Sequence, residues 1–297
     1  MTGATGFLGS HLARAMSKSS HELIIIKRRG SSTRRIASLL PGSTVYDSEN
    51  LDLRVLFEKH GEIDAVIHTA TCYGRGNEMT SDIFEVNTAF PLRLLDAAVL
   101  GRVGIFYNFD TVVSKHLNDY ALSKSHFGEW GRTFAARKKI RFVNIRMEHI
   151  YGPCDSKRSF TTHVIESCLK NIPALDLTLG EQKRDFIYID DVVNAVLKVW
   201  NATQSMKDYY LEYEVGTGNP LSIRTFVELV KKITRSATQL NFGAVPYRDN
   251  EMMDCTLNIK SLKALGWLPR VGLATGIKLV VHKIRSYSRR PRRSGVR

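Results

Sequence analysis

Short apolar runs alternate with amphipathic stretches of helical length over the first half of the chain. Leu23-Ile24-Ile25-Ile26 and residues 64–68, 103–107 and 140–145 read as buried strands. Between them, residues 53–60, 82–100 and 120–137 carry helical spacing, with Pro91 expected to kink or break the second of these. Strands separated by helices of this length predict right-handed crossover units on a parallel sheet. The expected fold class is therefore α/β, a doubly wound, Rossmann-like sheet with its ligand crevice at the C-terminal ends of the strands.

After Pro153 the rhythm loosens. Helices are expected at 161–170 and 192–200, with Asp190 or Asp191 as the N-cap of the second. Val215-Gly216-Thr217-Gly218-Asn219-Pro220 reads as a turn rather than a second nucleotide loop, because Pro220 follows it and Ser222 is placed to cap the next helix. The pattern gives a dinucleotide-binding domain over 1–152 and a smaller, mainly substrate-binding domain over 153–282. Residues 184–200 return to the sheet, and 283–297 form a basic tail expected to be disordered.

Composition changes this picture little. The chain has 297 residues, 43% hydrophobic and 24% charged, which is enough for a large core. No apolar run is long enough to span a membrane and no signal segment opens the chain, so a cytoplasmic protein is expected. Cys72, Cys154, Cys168 and Cys255 form no C-x-x-C pair and read as free thiols. The histidines show no ligand spacing, so no metal is expected. The net charge of +14 is weaker evidence for nucleic acid than it looks. Lys283, Arg285, Arg289, Arg290, Arg292, Arg293 and Arg297 supply half of it in one acid-free tail.

Two motifs carry chemistry. Thr2-Gly3-Ala4-Thr5-Gly6-Phe7-Leu8-Gly9 runs into an apolar helical pattern, a spacing that lets backbone approach a pyrophosphate and points a helix N-terminus at it. Such a loop should follow a buried strand, yet only Met1 precedes it. The first strand is apparently missing, and its neighbours are expected to lack a partner; a late-assigned start or a truncated gene is the reading that fits. The second motif is Tyr120-Ala121-Leu122-Ser123-Lys124, which puts phenol and ammonium on one helix face. A Tyr-x-x-x-Lys pair arises roughly once by chance in a chain of this size. Its place after a crossover sheet with a phosphate-type loop is what raises it. A nearby ammonium is expected to pull the phenol down from its ordinary pKa of about 10, so that it can exchange a proton near neutral pH.

With these motifs in order, the chain resembles the extended short-chain dehydrogenase/reductase family of nucleotide-sugar epimerases, dehydratases and ketoreductases. The resemblance runs from Thr2 to about Ile277. It includes His68-Thr69-Ala70-Thr71, Asn87, Arg146, Tyr151-Gly152-Pro153, Arg184-Asp185-Phe186 and Leu265-Gly266-Trp267-Leu268-Pro269. It implies that Gly3, Thr5, Gly6, Phe7, Leu8 and Gly9 wrap the pyrophosphate, and that Ala70 and Asn87 line the cofactor channel. Tyr120 and Lys124 would also touch the cofactor. His149 would meet the substrate, and Arg184 and Arg248 its diphosphate.

An acid at the end of the second strand would favour NAD. That position falls at Lys27-Arg28-Arg29 with no acid in reach, so NADP is favoured over NAD. Family dehydratases resemble a Thr-Asp-Glu triplet where this chain has Phe109-Asp110-Thr111, which disfavours dehydration. The stretch Asn108–Thr111, the Tyr120–Lys124 segment, residues 146–153 and Gly180-Glu181-Gln182-Lys183-Arg184-Asp185-Phe186 resemble the CDP-abequose synthase group. That group implies NADPH-dependent reduction of a CDP-linked 4-keto-deoxyhexose for lipopolysaccharide O-antigen. Phe109 stands where the family has a catalytic hydroxyl; Thr111, two residues along the strand, faces the same side and is the candidate substitute. The alternatives are a nucleotide-sugar C4 epimerase and a non-catalytic dinucleotide-binding relative. The family also implies a homodimer through the helix bearing Tyr120.

Overall fold

The computed structural model describes residues 1–19 and 21–288. Along the chain run α1 (Phe7–Lys18), β1 (Leu23–Lys27), β2 (Ser43–Asp47), α2 (Leu53–His60) and β3 (Ala65–His68). Next come α3 (Thr80–Phe84), a π-turn (Glu85–Ala89), α4 (Phe90–Leu100), β4 (Ile105–Thr111), α5 (Asp119–Ala136) and β5 (Arg141–Met147). Then follow β6 (His149–Tyr151), α6 (Phe160–Lys170), β7 (Ala174–Leu177), β8 (Lys183–Arg184), β9 (Phe186–Tyr188) and α7 (Ile189–Thr203). The last are β10 (Tyr210–Val215), β11 (Leu221–Ser222), α8 (Ile223–Thr234), β12 (Gln239–Phe242), α9 (Lys260–Ala264) and α10 (Leu273–Ser288).

The chain divides into two compact units. The first holds Met1–Glu148, Val193–Gly216 and Leu257–Leu268; the second holds His149–Val192, Thr217–Thr256 and the chain from Pro269. In the first, a four-stranded parallel sheet runs in the order β10-β5-β4-β3, and β1 pairs β2 in parallel. This is the parallel α/β fold the alternation of strands and helices predicts. β2 and β10 were not read from the sequence.

Two residues, Met1 and Thr2, bond to β1 and β3 ahead of the glycine loop. Ile26 N–H donates to the Met1 carbonyl at 2.9 Å, Thr2 N–H to the Ile67 carbonyl at 2.9 Å, and Thr69 N–H to the Thr2 carbonyl at 3.2 Å. Thr2 thus bridges β1 and β3 in parallel, next to the glycine loop. The expectation that these neighbours lack a partner is corrected where the loop begins.

Registers across β4, β5 and β10 stack side chains in three rows. Phe106, Phe142 and Tyr210 lie ring on ring, with centroids 5.6 and 6.3 Å apart. One step toward the C-terminal ends, Asn108, Asn144 and Glu212 are joined at 2.8 and 3.1 Å. The next row is Asp110, Arg146 and Glu214, with Arg146 held 3.2 Å from Glu214. Full burial of a side chain such as Phe106 or Phe142 stabilises by about 1.5–3 kcal/mol. With Leu94, Leu95, Phe127 and Phe134 they form the core.

Pro91 does not break its helix. It sits in the first turn of α4, directly after the π-turn, so its missing N–H falls where the bonding pattern already changes. Lys283 and Arg285, assigned by sequence to a disordered tail, lie in α10; residues 289–297 are outside the described ones. In the second unit, Phe186 stacks on Phe226 at 4.4 Å, and Ser222 caps α8 by accepting the Thr225 N–H at 3.1 Å. Asp185 accepts the N–H groups of Thr217 and Gly218, both at 2.8 Å, so the 217–220 segment is a braced turn. Asp191 is not an N-cap. It lies inside α7 and accepts the N–H groups of Arg270 and Val271 at 3.0 and 2.8 Å, because the helix starts earlier, at Ile189.

Candidate active site

The glycine loop is closed by backbone contact. Gly3 has φ +70°, and a Cβ there would lie 2.4 Å from the Ala70 nitrogen; one on Gly9 would lie 2.1 Å from the Gly3 carbonyl oxygen. Gly3, Gly9, Thr69 and Ala70 are thus brought together. Gly6 is the N-cap of α1 and offers no side-chain acceptor, and the first turn, Phe7-Leu8-Gly9, holds no acid. A helix of 12 residues that starts uncapped and uncharged leaves its first N–H groups for an anion, which fits a dinucleotide pyrophosphate. The Thr5 carbonyl accepts from Arg35 at 3.3 Å.

The basic turn is less bare than the sequence implies. β2 runs parallel to β1 with Asp47 opposite Lys27, and the two side chains form an ion pair. The Glu49 carboxylate accepts the Arg29 N–H at 2.7 Å. The expectation of no acid in reach is corrected: the unread strand β2 carries it there. Arg28 and Arg29 are exposed.

Asn87, expected in the cofactor channel, is fully buried in the π-turn. Its oxygen accepts from the Cys72 N–H at 2.8 Å and the Thr71 hydroxyl at 3.2 Å. Its NH₂ donates to the Cys72 carbonyl at 2.8 Å and to Ser123 Oγ at 3.0 Å. With its amide engaged on all sides, Asn87 braces the loop after β3 against α5.

α5 starts where the Asn118 side chain accepts the Ala121 N–H at 2.9 Å, and this sets Tyr120 and Lys124 in its first two turns. Tyr120 is half-buried, whereas Lys124 is 1% exposed. Lys124 belongs electrostatically with Asp110, a buried carboxylate at the end of β4. Burial lowers the lysine pKa while Asp110 raises it. Burial likewise raises Asp110, opposed first by Lys124, then by the Thr111 N–H and by Asn144, which donates at 3.2 Å. Gly128 makes room for the pair, since a Cβ there would lie 3.0 Å from Asp110 Oδ2.

Tyr120 departs from the expected depression. Burial pushes its phenol above the ordinary value, and Tyr73 and Asp110 add to this; the Thr111 hydroxyl and Arg75 oppose it. Lys124, expected to activate the phenol, is not among the groups that act on it and is coupled electrostatically to Asp110, so burial keeps the phenol in its proton-bearing form. The Thr111 hydroxyl favours the charged form of the phenol, and its Oγ accepts the Val113 N–H at 3.2 Å. Phe109 is buried and has no group to offer. Tyr73 and Arg75 are neighbours of Tyr120 that sequence reasoning missed. They carry no motif, and only the fold of the loop after β3 brings them there.

In the second unit Arg184 is buried and its guanidinium is engaged. It donates to the Lys183 and Met252 carbonyls at 2.7 and 2.6 Å and pairs with the Glu251 carboxylate. Arg248 is exposed in the turn three residues before Glu251, and its carbonyl accepts the Glu251 N–H at 3.1 Å. His149 meets the edge of Phe186, with centroids 5.2 Å apart.

A parallel α/β unit with a glycine loop feeding a bare helix N-terminus, and a Tyr/Lys pair on a later helix, defines a dinucleotide-dependent enzyme. The chain belongs to the NAD dependent epimerase/dehydratase family, whose pattern it matches over residues 1–216. It is 35% identical to the CDP-abequose synthase of Salmonella typhimurium over 96% of this chain and 97% of that one. It is 33% identical to the CDP-abequose synthase of Salmonella muenchen, covering 94% of each. Among solved structures, the UDP-glucose 4-epimerase of Thermotoga maritima with UDP-glucose superposes with a TM-score of 0.85 at 21% identity, covering 97% and 98% of the two chains. The UDP-glucuronic acid 4-epimerase of Bacillus cereus with UDP-glucuronic acid and NAD gives 0.82 at 24%, covering 96% and 98%. These two share the fold.

Proposed function

We propose that the protein is an NADP-dependent reductase of a CDP-linked 4-keto-deoxyhexose, a step in making an O-antigen sugar. The observation that carries this reading is the likeness, over nearly the whole of each chain, to two CDP-abequose synthases; Tyr120, whose phenol burial holds in its proton-bearing form, is the group placed to give a proton. Reduction of a ketone needs a proton donor, and that is the form present. An epimerase would first oxidise its substrate and then return the hydride, with no net loss of reductant. The two relatives at 35% and 33% identity support the CDP-sugar, and the exposed Arg28 and Arg29 support a 2′-phosphate.

In this mechanism the glycine loop and the start of α1 would hold the dinucleotide, whose reduced nicotinamide, when bound, would supply hydride for C4 of the sugar. Gly3, Gly6 and Gly9 admit the pyrophosphate to the start of α1, and the loop at Thr69–Ala70 stays close against them. Tyr120 gives its proton to the carbonyl oxygen, and Thr111 donates a hydrogen bond as the charge develops. Lys124 balances Asp110 below. Arg184 and Arg248 hold the diphosphate, and His149 meets the sugar nucleotide. The reading extends to a cytoplasmic homodimer, with the exposed Phe84 on α3 and Leu122 and Trp130 on α5 as its face.

The test mixes the purified chain with NADPH and a CDP-4-keto-6-deoxyhexose and follows loss of the reduced-nicotinamide absorbance. Stoichiometric oxidation is expected, faster with NADPH than NADH. Tyr120→Phe should lower kcat about 10²–10³-fold, and Thr111→Val about tenfold or more. Conversion of a C4 epimer without net NADPH loss would replace the reductase by an epimerase. Dinucleotide binding without turnover of either kind would leave the non-catalytic dinucleotide-binding relative.

A further inference from the structure

We propose that Tyr73 sets the sugar specificity of this site: its ring, held beside that of Tyr120, is the apolar surface that receives the C6 methyl group of the deoxyhexose. The inference rests on the reading of Tyr120 as the group that meets the C4 oxygen, and it gives the loop after β3 a part in choosing the substrate.

Two rings define the place. The Tyr73 ring lies 5.0 Å from the Tyr120 ring, tilted by 35°. Tyr73 is nevertheless 52% exposed, so much of its surface is open beside the phenol that reacts. The backbone fixes where it stands. Asn87, fully buried in the π-turn, accepts the Cys72 N–H and donates to the Cys72 carbonyl, both at 2.8 Å, one residue before Tyr73. Gly74 follows with φ +65°, a conformation that favours glycine, and a Cβ there would lie 2.8 Å from Ile83 Cδ1 on α3. The chain therefore turns directly after Tyr73. The Arg75 guanidinium lies over the Tyr73 ring, 4.9 Å from its centroid, and steadies the ring from within the loop.

The chemistry of the sugar supplies the match. When the C4 oxygen meets the Tyr120 phenol, C3 and C5 with their substituents flank it, and C5 carries C6. A ring this close to Tyr120 neighbours those carbons and not the remote diphosphate. The face of an aromatic ring carries partial negative charge and attracts C–H groups, so it favours a methyl. A hydroxymethyl in the same place presses a hydroxyl against the ring and loses bonds to water. At the end of β4, Phe109 is buried, and Asp110 and Thr111 are polar and buried too. Tyr73 is the ring that offers open apolar surface to a ligand touching Tyr120.

Binding separates this inference from the proposed function, because it needs no turnover. With NADP present, the full chain should bind CDP-6-deoxyglucose at least about tenfold more tightly than CDP-glucose by calorimetry. Tyr73→Phe should keep that ratio, and Tyr73→Ala should bring it within about threefold. NADP affinity should stay within about twofold in both variants, since Asn87 holds the loop through the Cys72 backbone and not through the Tyr73 side chain. In turnover, Tyr73→Ala should raise the KM for the CDP-4-keto-6-deoxyhexose about tenfold and leave kcat within about threefold. A wild-type ratio near one, a ratio that survives Tyr73→Ala, or a Phe variant no better than Ala overturns the inference even if Tyr120→Phe abolishes turnover. A parallel loss of NADP affinity in Tyr73→Ala would make the ring a support of the loop and overturn it too. A preference that follows residue 73 in a chain without reductase activity supports the inference and overturns the reductase reading instead.

Discussion

At the glycine loop, whatever meets a phosphate is spread over backbone N–H groups at the start of α1, with neutral side chains packed beneath. At Arg184 a full guanidinium is offered, but Glu251 and the Met252 carbonyl already answer it. The first arrangement is assembled before any ligand arrives and has no competing acceptor of its own. The second holds its charge in a pair, so a diphosphate there must displace a carboxylate. The contrast separates two costs: a backbone cradle is limited by shape, and a side-chain clamp is limited by the partner it must leave.

The largest effect should therefore come from shape. Gly3→Ala adds a Cβ 2.4 Å from the Ala70 backbone nitrogen at a residue with φ +70°, and nothing rigid there can give way. Dinucleotide affinity should fall at least about 100-fold, as read by quenching of protein fluorescence by NADPH. Retained affinity in a folded Gly3→Ala chain would break the first half of the comparison.

The second half turns on Glu251, which with Arg184 is nearly buried, at 14% and 8% side-chain exposure. Glu251→Gln leaves a buried guanidinium with a weaker partner and should cost about 2–3 kcal/mol of stability without ligand. The same change removes the competitor, so CDP should raise the thermal midpoint of the variant by more than it raises that of the parent. An equal or smaller rise would mean that Arg184 is a structural ion pair and that the diphosphate is held elsewhere.

How much of each region the sequence revealed follows from the same difference. Gly3, Gly6 and Gly9 are legible because a close backbone approach permits one residue type at a fixed local spacing. The helix over 53–60 and the strand at Leu23 are legible because their periodicity is local too. β2 and β10 mix polar and apolar residues and were overlooked; with β2 went Asp47, the acid beside Lys27. The partner of Arg184 lies 67 residues away, and no local pattern announces it. Lys124 is the instructive case. Its spacing from Tyr120 on α5 is legible, yet burial and Asp110 on β4 decide what its charge does. Spacing along a helix states which side chains can meet; the fold decides which of them the charge serves.

The smallest predicted effect tests the neutrality of the loop's foundation. His68 is completely buried among Phe90, Phe106 and Phe127, and its Nδ1 is 2.8 Å from the hydroxyl of Thr2. Burial holds its pKa well below the ordinary value of 6.5, and the charge of Lys124 pushes the same way. The unfolded chain takes up this proton near pH 6.5 while the folded chain refuses it. The stability contribution is therefore complete above about pH 6.5 and is lost as pH falls toward the folded-state pKa, by about 1.4 kcal/mol per pH unit. Urea denaturation of the parent and of His68→Asn, compared near neutrality and about one unit below pH 6.5, measures the difference between their slopes. The parent should lose about 1 kcal/mol more than the variant over that interval, because Asn cannot take the proton. Equal losses would mean that the imidazole can be charged beneath the glycine loop, and the neutral, backbone-built character of that site would no longer distinguish it from the clamp at Arg184.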